Sequence, residues 1–256
     1  MNKFLEICEA AARAGGAELL AWRGKFEIRE KAVADLVTEA DFASQAKIRA
    51  MIADAFPEHD FLGEEADGVA SRADSADYRW IVDPLDGTTN YVHGLPFYSV
   101  SIALEFEGAI MVGTIYDPVS EECFSAIRGE GAFLNGAPIQ TSGITEISQS
   151  LVAAGFAAGV CEGAPEIDRF IRVLTRCQTL RRTGSAALNL CYVACGRMDS
   201  YFATSIKTWD VAAGALIVAE AGGIVGAIEG GELDISDPRL LVSATRNLHD
   251  AMLVLM

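Results

Sequence analysis

The chain predicts a mixed α/β (α+β) fold of layered helices and sheets, with an antiparallel-rich N-terminal half and an α/β C-terminal half. Three observations point there. Two helical patterns open the chain, a run of short strands broken by hairpin turns follows, and strands alternate with helices from about residue 150. With 256 residues, 51% of them hydrophobic, the chain can bury one substantial core, or two closely packed subdomains sharing one.

Phe4, Ile7, Cys8, Ala11 and Ala12 recur at helical spacing, so residues 2–22 read as an amphipathic helix ending near Gly24. A second helix is expected from Thr38, whose hydroxyl can cap it with Asp41 three positions on, to about Phe56, where Pro57 stops it. Strands are expected at 61–63, 80–82, 98–106, 110–116 and 121–127. The turns Glu107-Gly108 and Asp117-Pro118 suit antiparallel hairpins. Beyond residue 150, strands are expected at 151–154, 179–181, 200–202 and 240–242, with helices at 166–177, 186–195, 209–220 and 247–253. No repeat or low-complexity linker divides the chain. The expected organisation is therefore two halves, residues 1–145 and 146–256, joined as one compact unit.

A formal net charge of −16 disfavours nucleic acid and anionic membrane surfaces as direct partners, because both would repel the chain over most of its surface. An anionic substrate is admissible only where bound cations reverse the local sign, so an acidic enzyme acting on phosphates is expected to carry metal. The cysteines Cys8, Cys123, Cys161, Cys177, Cys191 and Cys195 form no C-x-x-C pair, and nothing resembles a secretory signal. Reduced thiols and a cytoplasmic location are expected. The longest apolar stretch, 214–228, is broken by Glu220 and Gly222-Gly223 and is too short for a membrane span.

Asp83 and Asp86 follow the apolar strand Trp80-Ile81-Val82, and Pro84 stiffens the chain between them. Both carboxylates can converge, and the turn can aim the Leu85 carbonyl at the same ion. All-oxygen ligands suit magnesium. Gly87, Thr88, Thr89 and Asn90 follow, with backbone N–H groups and hydroxyls able to surround phosphate oxygens. Alone, this segment reads equally well as a capped surface turn. Its company breaks the tie: Gly63-Glu64-Glu65 also follows a short apolar strand, and Trp209-Asp210 opens a helix.

Together, Gly63-Glu64-Glu65, the run from Asp83 to Tyr91 and the run from Trp209 to Gly214 resemble the inositol monophosphatase family. The resemblance also takes in Lys31, the run from Asp35 to Thr38, Asp41, and the run from Arg181 to Ala187, which looks most like the bacterial branch. It implies an αβαβα sugar-phosphatase-type sandwich and magnesium-dependent hydrolysis of a small phosphorylated metabolite. It further implies that Glu64, Asp83 and the Leu85 carbonyl hold one magnesium, and that Asp83, Asp86 and Asp210 hold a second. A third, weaker site shares Glu64. Asp41 and Thr88 match the pair that orients the attacking water, with Glu65 a supporting acid and Lys31 near the metal waters. Asp86, Gly87, Thr88 and Thr89, together with Ser185, Ala186 and Ala203, match the substrate-binding positions. Two cations about 4 Å apart would grip the phosphoryl oxygens and stabilise the departing alkoxide. Lithium sensitivity and a homodimer are also implied.

Ala203 departs from the pattern, because the family's inositol phosphatases carry there a glutamate that accepts hydrogen bonds from ring hydroxyls. A methyl group accepts none, which weakens discrimination among polyols by roughly 1 to 3 kcal/mol. Inositol monophosphate is the first candidate substrate. Histidinol phosphate, fructose 1,6-bisphosphate, adenosine 3′,5′-bisphosphate and NADP are alternatives, and binding to the transcription machinery is the reading from another class. Among residues outside the motifs, His59 and His249 read as surface or helix-end groups and His93 as a group at the edge of the site. Arg181 and Arg182 meet substrate, a neighbouring subunit or a structural acid, and Lys207 is either solvated or steers phosphate.

Overall fold

The computed structural model describes residues 2–32, 35–65, 77–157 and 159–256, and for residues 2, 28, 30–32 and 35 the backbone alone. Its helices are α1 (Asn2–Trp22), α2 (Glu39–Ala55), α3 (Thr88–Val92), α4 (Pro165–Leu174), α5 (Ala186–Ala194), α6 (Thr208–Glu220) and α7 (Arg246–Leu253). A two-stranded antiparallel pair joins β1 (Ile28–Ala32) to β2 (Asp35–Thr38). A seven-stranded sheet runs in sequence order from β3 (Asp60–Gly63) through β4 (Tyr78–Asp86), β5 (Ser99–Phe106), β6 (Ala109–Asp117), β7 (Glu122–Ile127) and β8 (Gly131–Leu134) to β9 (Ala137–Pro138). Only β3 and β4 are parallel in it; the other neighbours are antiparallel.

The second sheet has the order β11-β10-β12-β14-β13, built from β10 (Leu151–Gly155), β11 (Thr179–Arg181), β12 (Ser200–Ala203), β13 (Ile224–Ala227) and β14 (Leu240–Ser243). Strand β10 is parallel to both of its neighbours, and the remaining pairs are antiparallel.

Burial follows from these two sheets. Helices α1 and α2 cover one face of the large sheet, and α5 and α6 fill the space between the sheets. Helices α4 and α7 cover the outer face of the small sheet. The layers are therefore helix, sheet, helix, sheet, helix, as the sequence predicts. No helix among the described residues is long and apolar enough to cross a membrane.

Helix α6 lies close on the large sheet because small residues line the contact. A Cβ added at Gly113 on β6 would meet the Ala213 carbonyl oxygen at 2.9 Å, and one at Gly214 would run into the Leu190 side chain on α5. This close seating brings the N-terminal end of α6, with Asp210, against the large sheet. Ser101 on β5 fixes the approach, its hydroxyl donating to the Trp209 carbonyl at 3.2 Å, and Ser101 is the cross-strand partner of Asp83.

The structure departs from the expected elements in several places. The two aspartates of the central motif lie within β4 rather than after it, and the ladder with β5 is irregular between them. Strands β1, β2, β8, β9 and β13 and helix α3 are additional. Helix α4 ends at Leu174, where the Thr175 hydroxyl donates back to the Ile171 carbonyl at 3.0 Å.

Replacing Gly113 by valine should destabilise the protein by about 2 kcal/mol, since a backbone carbonyl cannot move aside as a flexible side chain can. Urea unfolding measures this, and an unchanged midpoint would mean that α6 does not need the close approach.

Candidate active site

The site is assembled from element ends that capping chemistry holds in place. Thr38 caps α2: its hydroxyl accepts from the Ala40 N–H at 3.2 Å. Asp41 completes the box by accepting from the Thr38 N–H at 2.8 Å and the Thr38 hydroxyl at 2.7 Å. One Asp41 oxygen is thereby engaged, and the other faces Thr88, whose hydroxyl donates to it at 3.4 Å and to the Leu85 carbonyl at 3.1 Å. The expected Asp41–Thr88 pair is thus brought together.

Asp83, Asp86 and Asp210 converge from β4 and α6, each offering an oxygen within 4.8 Å of the others. Asp83 accepts from the Leu85 N–H at 2.9 Å, a local bond that holds the bulged strand in shape. Asp86 reaches across to the C-terminal half. It accepts from the Ser185 hydroxyl and from the Ala186 and Ala187 N–H groups, both at 3.0 Å, so it sits on the first turn of α5. Asp210 accepts from the Lys207 N–H at 2.6 Å in the first turn of α6.

The electrostatics record what this convergence costs. Burial pushes the Asp83 carboxyl well above the usual carboxylate range, with the charges of Glu64, Asp86 and Asp210 adding to it. Burial also raises Asp86 to about 6, against the opposing effect of the Ser185, Ala186 and Ala187 donors. Asp210 rises to about 7, first through burial and then through the charge of Asp86. Glu64 shares a side-chain hydrogen bond with Asp83. Buried Asp83 and Asp86 drawn together with the half-buried Asp210, and with Glu64 bonded to Asp83, offer oxygen donors throughout and fit a hard divalent cation.

Gly87 begins α3 at φ +93°, and a Cβ there would meet the Phe97 carbonyl oxygen at 3.1 Å, so this position takes glycine on two grounds. Thr88 and Thr89 form the first turn of α3, where N–H groups have no partner within the helix. A cavity of about 620 Å³ opens over these groups and is lined by Asp86, Thr89, Ser185, Ala186 and Asp210. Glu65 is buried, its N–H donating to Gln45 Oε1 at 3.0 Å and its carbonyl accepting from Gln45 Nε2 at 2.7 Å.

Ala203 stands on the same face of β12 as Tyr201, beside the cavity-lining Gly155. It is fully buried at the end of β12, within 3.2 Å of where a Gly155 Cβ would stand, and does not line the cavity. Tyr201 and Ser205 reach the cavity from the same segment instead. The side chain of Lys31 lies outside the described residues.

The histidines sort as follows. His59 stacks between Phe56 and Tyr78 and accepts from the Trp80 indole N–H at 3.1 Å, and His249 is buried in α7; both are structural. His93 and Arg182 line the cavity. Sequence reading missed Gln45, Ser44, whose hydroxyl donates to the Pro84 carbonyl at 2.9 Å, and the bracing role of Asn90. Asn90 Nδ2 donates to the carbonyls of Phe97 at 2.7 Å and Thr183 at 2.9 Å, tying α3 to the loop before α5. Asn90 lies inside the visible motif, but nothing in local spacing announces Gln45 or Ser44.

A layered αβαβα fold with an all-carboxylate cation site and a helix-turn cradle beside it defines a metal-dependent phosphatase. The model of the inositol monophosphatase family matches residues 1–255, and the chain belongs to that family. It is 42% identical over 261 residues to inositol monophosphatase 2 of Solanum lycopersicum, covering 99% of this chain and 97% of the relative. It is 39% identical over 250 residues to Nus factor SuhB of Pasteurella multocida, covering 96% and 93% respectively. The crystal structure of the extragenic suppressor protein suhB from Bartonella henselae superposes with a TM-score of 0.93 at 34% identity, covering 99% of this chain and 98% of that one. The chain is accordingly a phosphoric monoester hydrolase.

The raised carboxyls predict a pH dependence. Their folded pKa values exceed the ordinary 3.8, so their stabilising effect is fully present below about pH 4 and is lost as pH rises through about 6 and 7. Chelated protein should therefore lose melting temperature between pH 5 and pH 8, with magnesium restoring most at pH 8. The double variant Asp83→Asn, Asp210→Asn should flatten that slope in differential scanning calorimetry. An equal slope in wild type and variant would contradict the assignment.

Proposed function

We propose that this chain hydrolyses a small phosphomonoester by magnesium-dependent attack of water, with inositol monophosphate as the first candidate substrate. The observation that carries this reading is the convergence of buried Asp83 and Asp86 with half-buried Asp210 beside the Asp41–Thr88 pair.

In this reading Glu64, Asp83 and the Leu85 carbonyl hold one magnesium, Asp83, Asp86 and Asp210 hold a second, and a third weaker site shares Glu64. Bound there, magnesium supplies Lewis-acid polarisation of the phosphoryl oxygens and a more acidic water. The chain's own groups do the positioning. The Thr88 hydroxyl shares its one proton between the Leu85 carbonyl at 3.1 Å and Asp41 at 3.4 Å, so its oxygen lone pairs remain to accept from the attacking water and hold it in line with the phosphorus. The N–H groups of Gly87, Thr88 and Thr89 receive phosphate oxygens. Ser185 and Ala186 steady Asp86 at the wall of the cavity, so the halves 1–145 and 146–256 act as one unit. Glu65, braced by Gln45, supports the neighbouring Glu64, and Lys31 attends the metal waters.

A cytoplasmic homodimer sensitive to lithium completes the proposal. A second reading, binding to the transcription machinery, draws support from the relative named Nus factor SuhB.

Replacing Asp83 by asparagine should lower kcat by at least about a thousandfold with the fold intact by circular dichroism, and Thr88→Ala should lower it by about a hundredfold or more. A panel of inositol 1-phosphate, histidinol phosphate, fructose 1,6-bisphosphate, adenosine 3′,5′-bisphosphate and NADP, each titrated with magnesium, ranks the substrates by phosphate release. Partner binding by protein that releases no phosphate from any of them would favour the second reading.

A further inference from the structure

We propose that Ser205 is a specificity-determining residue: its hydroxyl hydrogen-bonds the alcohol part of the ester, and the backbone is held in a strained conformation that keeps it there. This rests on the hydrolytic reading and adds to it a residue that lies outside every recognised motif.

Ser205 sits in the short link, residues 204–207, between β12 and α6, and it lines the cavity that Asp86 and Asp210 also line. The link is pinned on both sides of it. The Thr204 N–H donates to the Gly155 carbonyl at 3.2 Å and its hydroxyl to Glu166 Oε1 at 3.3 Å, while the Lys207 N–H donates to Asp210 at 2.6 Å. Between these anchors Ser205 takes φ +59°, in the left-handed region where a Cβ crowds the backbone and glycine fits without cost.

Among the described residues, three others with side chains share that sign of φ: Glu107 at +50°, Glu121 at +56° and Asn135 at +49°. All three lie in turns that join antiparallel neighbours, β5 to β6, β6 to β7 and β8 to β9, where left-handed residues are routine. Asn135 also offsets its strain locally, accepting from the Cys123 N–H at 2.9 Å and donating to the Glu121 carbonyl at 3.2 Å. Ser205 belongs to no hairpin, and among the described residues its hydroxyl has no hydrogen-bond partner. A serine that breaks the local rule and returns no bond to the fold marks a functional position when it faces a cavity.

The surroundings define what it can do. Its neighbours on that wall, Gly155, Phe156 and Ile206, bring no side-chain hydrogen-bonding group, and the Tyr201 hydroxyl is buried and engaged by Asn189. The exposed Ser205 hydroxyl can both give and take a hydrogen bond there. In the hydrolytic reading the phosphoryl group lies at the carboxylates and the first turn of α3, which leaves the alcohol part of the ester to meet this wall.

Two matched pairs of esters, differing within each pair only in free hydroxyls, test this: glycerol 2-phosphate against isopropyl phosphate, and inositol 1-phosphate against cyclohexyl phosphate. Wild-type enzyme with saturating magnesium should favour the hydroxylated member of at least one pair in kcat/KM. Ser205→Gly and Ser205→Ala should both cut that preference by about three- to tenfold, chiefly through KM. Urea unfolding separates the hydroxyl from the backbone: the midpoint should rise in Ser205→Gly, which relieves the left-handed residue, and stay near wild type in Ser205→Ala, which does not. No preference in wild type, or a preference that either variant leaves intact, overturns the proposal. A midpoint that fails to rise in Ser205→Gly removes the strain on which it rests and overturns it as well. Calorimetric binding of the same pairs with magnesium reads the contact without turnover. Wild type that hydrolyses none of these esters, yet binds the hydroxylated members more tightly through Ser205, would sink the hydrolytic reading and leave the contact standing. Equal binding of both members of each pair would overturn the contact itself.

Discussion

The structure depends on a repulsion. Three aspartates are brought together beside Glu64, where burial raises the affinity of Asp83, Asp86 and Asp210 for protons and the charge of Glu64 raises it further. Left to itself such a cluster favours unfolding at neutral pH, because the unfolded chain would ionise all four acids in water. The surrounding fold offsets part of that cost with donors. Asp86 alone collects a serine hydroxyl and two helix N–H groups, and Asp210 collects the Lys207 N–H. Donors of that kind relieve the charge without neutralising it, and a divalent cation supplies the rest.

This constraint accounts for features far from the cluster. Helix α6 must approach β6 closely for Asp210 to reach Asp83, which requires Gly113 and the small residues of α6. The irregular ladder between Asp83 and Asp86 turns both side chains of one strand toward one site, an arrangement regular alternation would not place on the same side. Gln45 clasps the backbone of Glu65 and so holds the Glu64 loop, and a Cβ at Gly63 would press on the Gln45 amide that makes this clasp.

How much of this the sequence discloses depends on the range of each interaction. Helix α2 with its Thr38 cap was legible because capping is a contact over three residues, and the alternating order of the C-terminal half was legible from periodicity. Strand β13 hid behind the glycines that end α6, in a stretch whose apolar run suited the tail of a helix as well as a strand. The acidic motifs were recognisable as a set, yet their convergence rests on contacts such as Asp86 to Ser185, 99 residues apart. The position of Ala203 was visible in the motif pattern. That Ala203 is covered over, while Tyr201 on the same face of β12 and Ser205 and Arg182 in the loops reach the cavity, depends on side-chain length and loop course that no local pattern encodes.

The central claim is that these carboxyls are held partly protonated in the folded chain until a divalent cation takes the place of their protons. Magnesium titration calorimetry in buffers of different ionisation enthalpy measures both the binding and the protons released with it. The account predicts magnesium binding accompanied by proton release at pH 6, diminishing toward pH 8 as Asp86 and Asp210 ionise unaided. Binding with no proton release at pH 6, or no binding at all, would contradict it.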